Sequence, residues 1–209
     1  MKVGSIKAQE KSVEALSFLA YETLTEKQTL GAYIWKKFGF DCDIPSAIAQ
    51  GGSIPTLISF LNSDNSVCQV HAAELICSLA RNADNRVQLA KEGVILPLVS
   101  LLANENDCIQ QNAAAALGNL ARSNAENATA IHKAGAVPIL LKLLSRGSKK
   151  IVEPVASALW NLTAQEDIRT VVVALGRDVL TKISNGTQDS ERISLLRRIV
   201  DGSRFKSWD

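Results

Sequence analysis

Residues 111–121, QNAAAALGNLA, carry the pattern around which the rest of the chain repeats. Ala113, Ala114, Leu117 and Leu120 recur at helical spacing, so the stretch predicts an amphipathic helix with a face of small residues. Small side chains on that face would allow a second helix to approach closely. The stretch therefore predicts one member of a set of tightly packed helices.

The same pattern returns at intervals of 41 or 42 residues. It stands upstream as AAELICSLA at 72–80 and downstream as VASALWNLT at 155–163. Glycines keep this interval at positions 52, 93, 135 and 176, and a proline follows each of the first three by three or four residues. Self-similarity with a period near 40 residues and helical periodicity is typical of an α-solenoid.

The repeating unit ends in A-A-x-A-L-x-N-L-A and resembles the repeat of the armadillo family. Three copies carry the resemblance, at 48–81, 87–122 and 128–164. It implies an all-α, right-handed superhelix in which each repeat has a short first helix, a second helix and a longer third helix. It places the third helices at about 66–81, 107–122 and 149–164, where they would line the concave face.

Both ends of the chain depart from the pattern. Residues 1–47 are interpreted as an N-terminal partial repeat or cap, since 10–21 resembles a third helix without the two helices before it. This start in mid-repeat fits either a cap or a fragment of a longer array. Residues 48–175 hold the three repeats, and 176–209 are expected to form a degenerate fourth copy that caps the C-terminal end.

An insertion at roughly 24–42 interrupts the repeat spacing. It concentrates the aromatic residues Tyr33, Trp35, Phe38 and Phe40. A long loop in a compact repeat protein is usually functional or disordered. Two interpretations stay open: the rings cover the exposed end of the array, or they form a second interface for a partner or for self-association.

Composition excludes several classes of protein. With 209 residues, 46% of them hydrophobic, and a net charge of +2, the chain is expected to fold, and nucleic-acid binding is not favoured. The sequence shows neither a membrane-spanning run nor a signal peptide. Its four cysteines form no CxxC pair, which is typical of reduced thiols. We expect a cytoplasmic location, with the nucleus as the alternative.

Neither catalysis, nor a cofactor, nor a metal site is predicted. His71 and His132 fall in different repeats, and no nucleophile-elbow, HExxH or phosphate-loop motif is present. Cys68 and His71 are three residues apart on one predicted helix, but no second pair of ligands accompanies them. The sequence therefore predicts a protein that is not an enzyme.

The resemblance implies a partner-binding groove on the concave face. Asn119 and Asn161 occupy the family's asparagine position, with Ser78 as the equivalent residue in the first copy. An amide can donate to and accept from the backbone of an extended peptide, although such residues can also serve only to tie neighbouring helices. The positions four residues earlier, which importin-α fills with tryptophan, hold Glu74, Ala115 and Ser157. That difference argues against binding of nuclear localisation signals.

Two arginines follow the asparagine position by three residues. Arg81 and Arg122 share a helical face with Ser78 and Asn119. They would suit an acidic or phosphorylated peptide; alternatively, they only oppose the helix macrodipole.

The sequence thus predicts a non-enzymatic scaffold or adaptor that binds a peptide segment of a partner protein along the concave groove. One alternative is an assembly protein that forms homo-oligomers through the 33–40 aromatic residues or the open solenoid ends. Another is the substrate-recruiting region of a larger ubiquitin-ligase-type protein, whose catalytic domain these residues do not contain.

Overall fold

The computed structural model describes residue 11 and residues 52–146, 148–184 and 190–202. Within these ranges the chain forms ten α-helices and no β-strand. In chain order they are α1 (Ile54–Leu61), α2 (Ser66–Leu79), α3 (Ala83–Lys91), α4 (Ile95–Leu101), α5 (Asp107–Ala121), α6 (Ala125–Lys133), α7 (Ala136–Arg146), α8 (Lys149–Leu162), α9 (Glu166–Ser184) and α10 (Ser190–Asp201). None of these helices is long and apolar enough to cross a membrane.

The helices repeat in groups of three. Helices α3, α4 and α5 form one unit, α6, α7 and α8 form the next, and α1 and α2 are the second and third helices of the copy before them. The predicted third helices are confirmed: α2, α5 and α8 begin at the predicted residues and end within two residues of the predicted ends. They pack side by side in the order α2, α5, α8, and α10 packs on α8.

Glycines make the turns into the second helices. Gly52, Gly93 and Gly135 have φ values of +73°, +90° and +82°. No atom lies within 4 Å of a Cβ built on any of the three. The left-handed backbone, rather than a lack of space, therefore explains glycine at these positions.

Gly176 behaves differently, although the sequence places it in the same series. It is buried inside α9, which runs unbroken from Glu166 to Ser184. A Cβ built on Gly176 would lie 2.9 Å from Cγ2 of Val200 in α10. Here glycine allows two helices to approach closely, and the last copy has one long helix where the earlier copies have two short ones.

The core is aliphatic and continuous through the repeats. The small-residue face predicted for α5 is confirmed, because Ala113, Ala114, Leu117 and Leu120 have no exposed surface. On the side of α5 that faces α8, a Cβ built on Gly118 would lie 3.1 Å from Cα of Ala158. Each fully buried leucine stabilises the fold by about 1.5–3 kcal/mol.

Asparagines cap the helices at recurring positions. The Asn65 side chain accepts from the backbone N–H of Val67 at 2.9 Å, and Asn106 accepts from Cys108 at the same distance. These caps begin α2 and α5, where they satisfy backbone N–H groups that have no partner within the helix.

Candidate interaction surface on the third helices

One face of each third helix remains partly open to solvent. We call this surface the third-helix face; it comprises, on α2, α5 and α8, the partly exposed residues Glu74, Ala115, Asn119, Ser157 and Asn161. On α5 and on α8 the two residues lie one turn apart and so share a face of their helix, whereas α2 contributes Glu74 alone. Ser78, the counterpart of the two asparagines, is 7% exposed and belongs to the buried seam instead.

The two asparagines join each third helix to the one before it. The Nδ2 atom of Asn119 donates to the backbone oxygen of Cys77 on α2 at 2.9 Å. The Nδ2 atom of Asn161 donates to the backbone oxygen of Gly118 on α5, also at 2.9 Å. Each asparagine therefore ties its helix to the preceding third helix through one N–H of its amide.

The accepting oxygens are those that the end of a helix leaves without a partner. Near the end of α2, the N–H of Arg81 bonds to Ser78 rather than to Cys77. Near the end of α5, the N–H of Arg122 bonds to Asn119 rather than to Gly118. The last carbonyls of a helix need other donors, and the asparagine of the next repeat supplies one.

Each asparagine keeps further hydrogen-bonding capacity. A primary amide has two N–H donors and an oxygen with two lone pairs. Among the described residues, Oδ1 of Asn119 and Oδ1 of Asn161 accept no hydrogen bond, and both side chains are partly exposed. An acceptor therefore remains on two adjacent helices. Asn161 also keeps its second N–H, whereas Nδ2 of Asn119 has both the backbone oxygen and Sγ of Cys77 as acceptors.

Cys77 lies beneath Asn119 and was not singled out by its sequence position. Its Sγ atom is 3.4 Å from Nδ2 of Asn119. Burial raises the pKa of the Cys77 thiol from 9.0 to about 11, although the charge of Arg81 and the bond from Asn119 act in the opposite direction. The thiol is therefore neutral at physiological pH.

The charged residues beside the face differ from repeat to repeat. On α2, the Glu74 carboxylate lies 3.3 Å from Nδ1 of His71. Arg81 and Arg122 are both exposed, and neither forms an ion pair with a described residue. Burial raises the pKa of the Cys77 thiol, and the charge of Arg81 partly opposes this rise. Burial lowers the pKa of Arg86 on α3, and the charge of Arg122 lowers it further. The two arginines therefore have different surroundings.

A second pair of asparagines, which periodicity did not reveal, binds the ends of the third helices from the first helices. Asn85 donates to the backbone oxygen of Leu79 at 3.2 Å. Asn127, at the equivalent position, donates to Leu120 at 3.0 Å and to Arg86 at 3.1 Å. Both are buried, so they hold the fold and take no part in an accessible surface.

Two other predictions concern residues away from the third-helix face. Tyr33, Trp35, Phe38 and Phe40 lie outside the described residues. Cys68 is buried, and no group of three or more metal-ligating side chains converges in the described part of the chain.

Comparison with known proteins identifies the family of the repeated unit. Residues 82–122 and 124–164 each match the family model of the Armadillo/beta-catenin-like repeat. These segments contain α3–α5 and α6–α8. A search of curated protein sequences found no significant match.

Solved structures with this architecture cover nearly the whole chain. A computationally designed armadillo repeat protein for modular peptide recognition matches with a TM-score of 0.77 and 20% identity, over 96% of this chain and 77% of that one. An engineered protein matches with a TM-score of 0.75 and 24% identity, over 96% and 76%. A chain from a study of the phosphorylation switch that controls the interaction between cadherin and β-catenin matches with a TM-score of 0.71 and 16% identity, over 95% and 35%.

The repeated three-helix units, the stacked third helices, the family matches and the structural likeness lead to one conclusion. The chain folds as an armadillo α-solenoid, and its residues 82–122 and 124–164 are two repeats that match the armadillo family model.

Proposed function

We propose that this chain is a non-enzymatic interaction scaffold that binds an extended peptide segment of a partner protein along the third-helix face. The observation that carries the proposal is the unused Oδ1 atom on each of Asn119 and Asn161. The structural relatives support it, because one of them is described as designed for modular peptide recognition.

The spacing of the asparagines suits an extended peptide. Adjacent packed helices lie about 8–10 Å apart, and an extended chain advances about 3.3 Å per residue. A peptide that crosses the helices therefore meets one asparagine every two to three residues. At each asparagine, Oδ1 accepts a peptide N–H, and at Asn161 the second Nδ2 hydrogen also donates to a peptide carbonyl.

Small residues leave room for the peptide backbone. Ala115 and Ser157 lie one turn before Asn119 and Asn161 on the same face. A larger side chain at either position would stand where the peptide backbone needs to approach. At the α2 end of the face, Glu74 replaces these small residues and is engaged with His71.

The charges favour an acidic or phosphorylated peptide as the partner segment. Arg81 and Arg122 are exposed, and the nearest acidic residue on the face, Glu74, already faces His71. Guanidinium groups bind carboxylates and phosphates through paired hydrogen bonds. Binding by this scheme weakens as the salt concentration rises.

The experiment selects peptides from a random displayed library against the full chain and measures the Kd of one selected peptide by fluorescence anisotropy. Ser157→Arg places a large side chain on the third-helix face and leaves the hydrogen bonds between the third helices intact. Asn119→Ala/Asn161→Ala removes both asparagines. We expect each variant to lose at least tenfold in affinity, about 1.4 kcal/mol, because several peptide hydrogen bonds worth about 0.5–1.5 kcal/mol each are lost.

Asn85→Ala is the matched control, since it also removes an amide bond between helices but lies away from the face. It should leave the Kd unchanged. Selected peptides that bind every variant equally well, or a selection that yields no binder, would overturn the proposal.

A further inference from the structure

A cleft of about 320 Å³ opens between α7 and α9, away from the third-helix face. Its apolar lining comes from Pro138 and Leu141 on α7 and from Leu175 and Val179 on α9. Leu175 is 37% exposed, one of the few large apolar side chains in the described residues that water reaches to this extent. None of the lining residues belongs to a third helix.

The unbroken course of α9 creates one wall of the cleft. Because α9 does not turn at Gly176, Leu175 and Val179 lie one turn apart on a single continuous helix. In the two preceding copies, a left-handed glycine separates the first helix from the second at this point. The wall is therefore specific to this end of the described array.

The opposite wall is basic. Lys142 and Arg146 line the cleft from α7, one helical turn apart, and both are exposed. Neither forms an ion pair with any residue that the structure describes. Asp178, the one acidic residue of the lining, lies on α9 and is not within salt-bridge distance of either cation.

This basic character does not follow from the repeat. The positions equivalent to Lys142 in the two preceding second helices are Ser59 and Ser100. Beyond α7, helix α8 begins with Lys149 and Lys150, which are exposed. The other two third helices begin with Ser66-Val67 and Asp107-Cys108, and the loops before them, 62–65 and 102–106, contain no lysine or arginine.

We propose that the cleft between α7 and α9 is a second docking site, and that its occupant is an acidic amphipathic helix of a partner protein. Apolar side chains of that helix enter between Leu141 and Leu175, in the manner of a helix in a hydrophobic groove. Carboxylates one turn apart on the partner match Lys142 and Arg146, which have the same spacing. The site does not use Asn119 or Asn161, so it is independent of the proposed peptide groove.

The probe is a fluorescein-labelled synthetic helical peptide with leucines at i and i+4 and glutamates one turn apart on the neighbouring face. Its counterpart carries lysine in place of every glutamate. Anisotropy titrations with the full chain should show binding of the acidic peptide, and at least tenfold weaker binding of the lysine peptide.

Two variants locate the binding. Lys142→Glu/Arg146→Glu should weaken binding of the acidic peptide at least tenfold, and Leu175→Ser about fivefold. Lys91→Glu/Lys133→Glu is the matched control, because it makes the same change in net charge at exposed positions outside the cleft. It should change the affinity less than twofold, as should Asn119→Ala/Asn161→Ala.

Several results would overturn this proposal. Equal loss with the control pair would indicate only a general attraction between opposite charges. An unchanged affinity in Leu175→Ser would show that the apolar cleft is not occupied, and loss in the asparagine variant would place the acidic helix on the third-helix face. Absence of binding by the unaltered chain would equally refute the site.

Discussion

Gly118 and Ala158 bring the backbones of α5 and α8 together at the centre of the array. A Cβ on Gly118 would lie 3.1 Å from Cα of Ala158 and 3.3 Å from its backbone nitrogen. At this point the neighbouring atoms belong to backbone, which cannot move without shifting a whole helix. The next bond along the seam, from Asn161 to the carbonyl of Gly118 itself, depends on the same closeness.

Gly118→Ala should therefore destabilise the fold. Overpacking typically costs about 1–3 kcal/mol, whereas alanine in a helix gains about 1 kcal/mol over glycine. We expect a net loss of about 1 kcal/mol, measured by urea denaturation followed by circular dichroism. Gly176→Ala is the comparison: its close neighbour is a side-chain atom, Cγ2 of Val200, so its loss should be smaller than that of Gly118→Ala, whose neighbours are backbone atoms. Equal losses in the two variants would contradict this explanation.

Substitution of the buried asparagines should have graded effects. Asn127→Ala leaves the carbonyl of Leu120 without its donor, whereas after Asn85→Ala the carbonyl of Leu79 still accepts from the N–H of Asn82. An unsatisfied buried group costs about 1–3 kcal/mol. Asn127→Ala should therefore lower the free energy of unfolding by about 2–3 kcal/mol, and Asn85→Ala by about half as much. The reverse order in thermal melts would show that the Asn127 bonds contribute little.

Gly135→Ala should be destabilising by about 1–2 kcal/mol, because alanine in the left-handed region is strained. The φ of Gly135 is +82°, and a Cβ there would meet no atom within 4 Å, so backbone conformation alone accounts for the loss. Gly135→Asn should lose less, since asparagine tolerates left-handed backbone better than alanine. If chemical denaturation gives both variants the stability of the parent, the turn does not depend on this glycine.

The Cys77 thiol should make stability depend on alkaline pH. Its pKa is about 11 in the folded chain and 9.0 as the ordinary value, so the unfolded chain releases the proton first as the pH rises. The stabilising contribution is fully present below pH 9 and is lost as the pH rises through 11. Urea denaturation at pH 8, 9, 10 and 11, compared with Cys77→Ala, should show the difference between the two proteins shrinking over this range. A constant difference would mean that the thiol ionises equally in both states.

Much of the fold could be predicted because burial repeats with the sequence. The alanine and leucine positions at 41- or 42-residue intervals define the third helices to within two residues. The same interval wrongly suggests a turn at Gly176, where α9 in fact continues without a break. Gly176 is followed by Arg177, Asp178 and Val179 without the proline found after Gly52, Gly93 and Gly135, so nothing in the chain stops the helix there.

The site was only partly predictable. The sequence identifies Asn119 and Asn161 as a pair at equivalent positions, but not which of their hydrogen atoms is already used. That depends on where α2 and α5 end, because the unpaired carbonyls of Cys77 and Gly118 arise at those ends. The burial of Asn85 and Asn127 could not be predicted, because apolar periodicity carries no information about buried polar residues.

The ties from Asn119 and Asn161 also fix a length. Each asparagine bonds directly to the backbone of the preceding third helix. The bonds therefore fix the distance between the two asparagines in the chain without a partner. Under the proposed function, a segment whose backbone spacing matches the distance between the two asparagines would bond to both of them. A segment with a different backbone spacing would bond to one asparagine and not to the other, whatever its side chains are.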